Sequence, residues 1–390
     1  MISSQFKSLK YKNLTMAGIY IHIPFCKKRC TYCDFYTEVA PKLIPKLVDS
    51  IVKELHFRKD YLQNATIQTI YFGGGTPSIL DTKQFAVIFE AIYKLFNIDS
   101  NAEITFEANP DDLTPHFFQT ISSLPFNRIS IGIQSFEDED LKRLNRRHTG
   151  TEAIDAVKNA QKHGFQNISI DLIYGLPYQD INKWRNQLKI ALELDVQHIS
   201  AYGLTYEEGT VLWKQRENGE LKTVDDDTMN RMYLLLLKTM QQKGFEAYEI
   251  SNFAKPGFKS KHNTSYWKQQ PYIGVGPSAH SYDIKSRQWN ISSIQKYISL
   301  INKNLPFFEK EELSIYDKYN DYIMVSLRTN DGLDMNTLEA YFGEELKEYC
   351  LKNIKSFVEN KKIEIIDEKL RLTQKGIMIS NLIIMELIKV

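Results

Sequence analysis

Three of the four cysteines in this chain, Cys26, Cys30 and Cys33, fall within eight positions, in the stretch Gly18-Ile-Tyr20-Ile-His-Ile-Pro-Phe-Cys26-Lys-Lys-Arg-Cys30-Thr-Tyr-Cys33-Asp-Phe35. A C-x3-C-x2-C loop can wrap three thiolates round one iron–sulfur cube and leave its fourth iron without a protein ligand, open to a small chelating molecule. Zinc is the rival reading. A structural zinc site takes four protein ligands in two pairs, and no second Cys/His pair at such spacing follows. The spacing therefore favours a [4Fe–4S] cluster with one open iron.

A cluster of this kind needs a pocket beside it, and polar residues recur downstream at regular intervals. Gly73-Gly74-Gly75-Thr76-Pro77-Ser78 sets three glycines together, so backbone N–H and C=O groups can approach a ligand with no Cβ in the way. It lacks the Lys-Ser/Thr ending of a phosphate-binding loop, and by itself it is equally a turn. Glu107, Gln134 and Asp171 each stand at the end of an apolar run. A carboxylate or amide buried there needs a partner, so the three suit a ribose or amino acid ligand; each is alternatively the cap of the helix that follows. Their recurrence favours a shared pocket. Arg146 suits a ligand carboxylate or a solvated surface, and His148 beside it is undecided.

The elements that must position these residues are repeated. From residue 18 short apolar runs at 18–23, 67–72, 103–107, 128–133, 168–173 and 198–202 alternate with amphipathic stretches long enough for crossover helices. That pattern predicts an α/β fold with a parallel sheet, a partial (β/α)6 barrel carrying its site at the C-terminal strand ends. Leu43, Leu47, Ile51 and Leu55, with Ile44, Val48 and Val52 beside them, mark one buried helical face between the first two strands.

Composition narrows the classes. Of the 390 residues 43% are hydrophobic and 12% aromatic, enough for a large core and two domains. Lys and Arg number 49 against 48 for Asp and Glu, so no global field draws the chain to nucleic acid or anionic lipid. No apolar run reaches the roughly 18 residues of a membrane span, and residues 1–12 lack a secretory core. A cytoplasmic, reducing compartment fits thiols that must hold iron. Cys350, alone on an expected helix, reads as a small buried hydrophobe. Residues 1–17 are expected as a disordered extension, with Met16 as an alternative start.

The C-x3-C-x2-C spacing resembles that of the radical S-adenosylmethionine (SAM) superfamily, in which the open iron is chelated by the amino and carboxylate groups of SAM and the cluster's electron can cleave it to a 5′-deoxyadenosyl radical. From Tyr20 to Gly203 the order of motifs is similar to the oxygen-independent coproporphyrinogen III oxidases and their haem-chaperone relatives. That resemblance implies SAM contacts by Tyr20, by the loop containing Gly74, Gly75 and Thr76, and by Glu107, Gln134, Arg146 and Asp171. It also chooses a branch. The oxidases carry another cysteine two positions after the third ligand, where this chain has Phe35, and a longer N-terminal segment than the 25 residues ahead of Cys26.

Further along, His262-Asn263-Thr-Ser-Tyr266-Trp267 matches an H-N-x-x-Y-W motif that the resemblance associates with haem, which makes His262 the expected axial ligand. Residues 272–281 are glycine-rich and end beside His280, a neighbour of haem or SAM or part of a turn packed on the barrel. The barrel and haem motif are assigned to 18–290. After 291 helices dominate, at 319–327, 334–342 and 345–359, with a hairpin at 363–366 and 370–372 and Thr373 as an N-cap. This is expected to be a winged-helix-like second domain for protein docking, not DNA binding. The expected function is a haem chaperone that passes haem to apo-haemoproteins, respiratory-chain components at the membrane included. The alternative is radical oxidative decarboxylation of coproporphyrinogen III.

Overall fold

In the structure, a computed structural model, residues 16–389 are described. The expectation for the first fifteen residues lies outside them, while Met16 and Ala17 belong to the first strand. Six strands run parallel in sequence order: β1 (Met16–Ile23), β2 (Thr66–Gly74), β3 (Ile98–Ala108), β4 (Arg128–Gln134), β5 (Ile168–Tyr174) and β6 (His198–Gly203). Each contains one of the runs expected from the sequence.

Alternation along these strands divides the barrel wall in two. Ile19, Ile21 and Ile23 of β1, Ile129, Ile131 and Ile133 of β4 and Ile168, Ile170 and Leu172 of β5 face the outer helices and join one continuous core. The intervening residues, among them Tyr20, Thr69, Tyr71, Glu107, Arg128, Ser130 and Asp171, face the bore. Successive side chains on a strand point to opposite faces, so this period of two gives an apolar jacket round a polar lumen. The helix Ile44–Phe57 supplies Leu47, Ile51 and Leu55 to the jacket, all fully buried, as the four-residue stripe requires.

The sheet is larger than six strands. A hairpin of β7 (Glu246–Ala247) and β8 (Asn252–Ala254) adds antiparallel to β6, and β9 (Tyr272–Val275) lies parallel to β1 on its other side. Beyond β9, the strands β10 (His280–Tyr282), β11 (Ser286–Asn290) and β12 (Phe308–Glu312) extend it antiparallel to twelve strands. The glycines read as a turn at 272–281 are therefore partly in a strand. A Cβ on Gly274 would stand 2.0 Å from the carbonyl oxygen of His280, and Gly276 has φ +100°, so close packing and a left-handed backbone require both.

A buried ion pair fastens this extension. Glu54, fully buried, accepts from the Gly276 N–H at 2.8 Å, from Asn290 at 2.8 Å and from the Tyr297 hydroxyl. Its neighbour Arg58 donates to the Gly274 carbonyl, to Ser281 and to Gln288. Each buried charge thus has several partners, the condition for tolerating it.

A second core gathers Tyr319, Ile323, Leu338, Cys350, Ile354 and Ile383 round the three-stranded order β13 (Leu333–Asp334), β15 (Lys369–Leu372), β14 (Ile363–Ile366). Helices Ile315–Ser326, Met335–Phe342 and Glu344–Glu359 precede the hairpin, and Thr373 accepts from the Gly376 N–H as an N-cap. The helix Ile294–Asn302 and β12 lie after the expected division at 291, yet Ile294, Tyr297 and Ile301 pack in the first core.

Candidate functional site

Beyond β1 the chain turns through Phe25, fully buried, into the cysteine loop, which its neighbours hold by backbone bonds. Cys26 N–H donates to the Glu38 carbonyl at 3.2 Å, Thr31 N–H to Leu144 at 3.1 Å, and Asn145 donates to the Arg29 carbonyl at 2.8 Å. Lys27 binds Asp112, a buried carboxylate that also accepts from Ser78 at 2.8 Å and lies 3.5 Å from Arg147. One carboxylate therefore ties the cysteine loop, the glycine loop and the segment carrying Arg146 together.

Cys26, Cys30 and Cys33 line a cavity of about 660 Å³ at the C-terminal ends of the parallel strands. The Thr76 hydroxyl is 3.5 Å from the Cys26 sulfur, and the Arg146 guanidinium 3.5 Å from that of Cys30. Burial pushes the Cys26 and Cys33 thiols up. Among the described residues no three His, Cys, Asp or Glu side chains close on one metal-ion position. A cube spreads its thiolates over separate irons, so half-buried thiols round a cavity, with donors aimed at sulfur, fit a cluster rather than a single ion.

Gly74, Gly75, Thr76, Glu107, Gln134, Arg146 and Asp171 all line the same cavity. The glycine run has two duties. A Cβ on Gly75 would meet the Phe25 carbonyl oxygen at 2.7 Å and one on Gly74, at φ +108°, the His22 ring at 2.8 Å, so the run lets β2 close on β1 as well as baring its backbone. Glu107 accepts from the Tyr71 hydroxyl at 2.8 Å and from the Gly74 N–H at 3.1 Å. Its burial still pushes the carboxyl up to about 7, against the pull of those bonds. Burial likewise raises Asp171 to about 6, opposed by Ser200, Arg128 and Ser130. Gln134 is left-handed at φ 71°, a sparsely populated backbone state at the cavity edge.

Asn109, just beyond β3, is given a role only by the tertiary structure. It donates to Thr76 at 3.0 Å and accepts from Arg146 at 2.6 Å, joining the two side chains that reach the thiols. Tyr71, anchor of Glu107, was missed; bore-facing alternation on β2 is the signal that finds it.

Tyr20 and His262 are not among the residues lining the cavity. Tyr20 stacks on Tyr71 with ring centroids 6.1 Å apart and bonds His22 at 3.2 Å, so it supports the cavity from within the bore. His262 lies deeper, on the helix Lys261–Trp267, whose N-terminal N–H groups at 261 and 262 donate to Glu103 at 3.0 Å. Its Nδ1 is 2.7 Å from the Thr69 hydroxyl and its Nε2 2.8 Å from that of Tyr266, and its ring stacks on Tyr71 at 4.9 Å. Burial, with Arg128, lowers its pKa to about 3. In this conformation His262 presents neither nitrogen to a haem; ligation would need one of these bonds to break.

A parallel barrel whose strand ends surround three thiols is a radical SAM domain, and residues 20–189 match the Radical SAM superfamily. Residues 313–379 match the HemN C-terminal domain. The fold is that of the coproporphyrinogen III oxidase HemN from Escherichia coli, at TM-score 0.83 and 21% identity, covering 96% of this chain and 90% of that one. The chain is 31% identical to the heme chaperone HemW of Bacillus subtilis (strain 168) over 369 residues, 94% of this chain and 97% of that protein. It is 32% identical to HemW of Lactococcus lactis subsp. lactis (strain IL1403), over 93% of this chain and 94% of that protein. The chain belongs to the HemW family.

Proposed function

We propose that this protein is a haem chaperone, which binds haem and passes it to apo-haemoproteins, and that its barrel holds a [4Fe–4S] cluster on Cys26, Cys30 and Cys33 with SAM beside it. The observation that carries this reading is Phe35. It lines the cavity, 71% exposed, where the sequence resemblance puts a further cysteine in the oxidases. Likeness to HemN supports the fold alone, whereas likeness to proteins named heme chaperones extends over nearly the whole chain.

When bound, the cluster would supply an electron and an iron open to chelation by SAM. The chain's residues orient and bind. Thr76 and Arg146 donate to the sulfurs, Asn109 holds both, and Glu107, Gln134 and Asp171 face the cavity as acceptors for a polar, cationic ligand. No helix among the described residues is long and apolar enough to cross a membrane, and a cytoplasmic site of action suits reduced thiols.

Anaerobic titration of the reconstituted protein with haem is expected to give a Soret band. Incubation with SAM, reductant and coproporphyrinogen is expected to leave the porphyrinogen unchanged. Protoporphyrinogen in that incubation would replace the chaperone by the oxidase.

A further inference from the structure

Outside the thiol cavity, the extended sheet presents a second surface. Registered pairs share a face, so Tyr272 opposite Tyr282, Tyr282 opposite Arg287 and His280 opposite Trp289 all stand on the bore side of β9, β10 and β11. The helix Ile315–Ser326 of the second unit leans over that face. It is pinned there by Arg287, which pairs with Asp321 on that helix and with Glu311 at 3.3 Å. Between sheet and helix opens a cleft of about 270 Å³, lined among others by Tyr266, Tyr272, Tyr282, His280, Met324 and Val325.

His280 differs from His262 in accessibility and in the occupation of its ring nitrogens. The residue is accessible to solvent though its ring is partly covered, neither ring nitrogen has a hydrogen-bond partner among the described residues, and the ring lies 6.4 Å from Trp289 at 30°. Partial burial, with Arg287, lowers its pKa, which favours the neutral imidazole and its lone pair. The H-N-x-x-Y-W segment reaches this cleft through Tyr266, whose ring is 4.6 Å from that of Tyr272, while its histidine points into the bore. Phenol rings and a flexible thioether supply flat, adaptable apolar surface.

We propose that this cleft takes one edge of a haem, with His280 as axial ligand and Tyr272, Tyr282 and Met324 against the macrocycle. The proposal rests on the haem-binding reading above and changes which histidine carries it. At about 270 Å³ the cleft is smaller than the roughly 300–1,000 Å³ of enclosing ligand sites, so most of the macrocycle stays open to an acceptor. One-sided binding of that sort suits cargo that is to be handed on, because few contacts need breaking. Arg287 is already committed to carboxylates and is not counted as a partner for the haem propionates.

The full-length wild-type protein, His280→Ala, Val325→Trp (which fills the cleft and leaves His280 in place) and His262→Ala are each titrated with ferric haem and followed by the Soret band and low-spin EPR signal. Far-UV circular dichroism checks the fold. Both cleft variants are expected to lose the histidine-ligated spectrum and to bind about tenfold or more weakly, and His262→Ala to keep it. Wild-type spectra and affinity in both cleft variants, or loss of the band only in His262→Ala, overturn the proposal and leave the chaperone reading standing. A wild type that binds no haem overturns that reading itself.

Discussion

The Arg146 guanidinium stands 3.5 Å from the Cys30 sulfur, and Asn109, bonded to the same guanidinium at 2.6 Å, holds it there. A cation with an N–H directed at sulfur stabilises the thiolate and favours electron uptake by whatever that thiolate ligates. Arg146→Met is therefore expected to weaken cluster retention roughly tenfold and to move the reduction potential to more negative values. Iron and sulfide analysis with EPR-monitored potentiometry reads both, and an unchanged potential would remove the role given to Arg146.

Glu107 makes the pH dependence of ligand binding specific. Its carboxyl is pushed from the ordinary range up to about 7, so in the unliganded fold it takes up a proton as pH falls below about 7, while the unfolded chain does so near 4.5. The sign follows. Its contribution to stability is fully present below about 4.5 and is lost as pH rises through about 7, where half of the carboxyl is ionised in the fold. Glu107→Gln, which never ionises, should be more stable than wild type above pH 7 by about 3 kcal/mol without ligand. A cationic ligand reverses the balance by drawing the pKa down. SAM affinity should fall as pH drops below about 7, with proton release on binding near neutrality, and the variant should bind more weakly with a flatter profile. Calorimetry in two buffers of different ionisation heat measures the proton count; a count of zero in wild type would rule Glu107 out as the acceptor.

Gly75 has no room for a methyl group. The added Cβ would lie 2.7 Å from the Phe25 carbonyl oxygen and 2.9 Å from its nitrogen, both backbone atoms that cannot step aside. Gly75→Ala should lower stability by about 1–3 kcal/mol and displace the loop one residue before Cys26. Thermal unfolding and iron content should fall together. A variant that unfolds like wild type but holds no iron would instead place the glycine's importance in ligand contact.

Cys350 lies fully buried in the second core beside Tyr319, and burial pushes its thiol up to about 12. Replacing it by serine puts a hydroxyl among apolar neighbours and should destabilise by about 1–3 kcal/mol, with cluster content unchanged. Iron loss in Cys350→Ser at a temperature where the protein is folded would contradict the exclusion of this cysteine from the cluster.

Asp112 joins three segments at once, so its loss should loosen them together. Asp112→Asn keeps the shape but removes the charge that Lys27 and Arg147 share. We expect slower recovery of the cluster on reconstitution and faster loss on exposure to air. The cysteines themselves are untouched, which separates positioning from ligation; reconstitution at the wild-type rate would deny the role.

By itself the sequence determined the repeating part of the molecule. Alternation of isoleucine and other apolar residues with bore-facing polar ones marks β1 to β6, because a strand carries a period of two wherever one face is jacketed by helices. It also kept Cys26, Cys30 and Cys33 close together, since all three fall within eight positions, and put Glu107 and Gln134 at strand ends, whereas Asp171 stands in the middle of β5. Tertiary structure decided what spacing cannot encode. β9 became a strand, despite Gly274 and Gly276, through pairing with β1, 250 residues distant in places and adjacent only in space. Asn109 gained its role from Thr76, just beyond β2, and from Arg146, in the loop after the helix Asp138–Arg143. His262 is the clearest case. The motif marks it out, but Thr69, Tyr71 and Tyr266 enclose it, and His280, without any motif, is the one left open, because exposure and the occupation of a lone pair depend on what the fold packs against a residue.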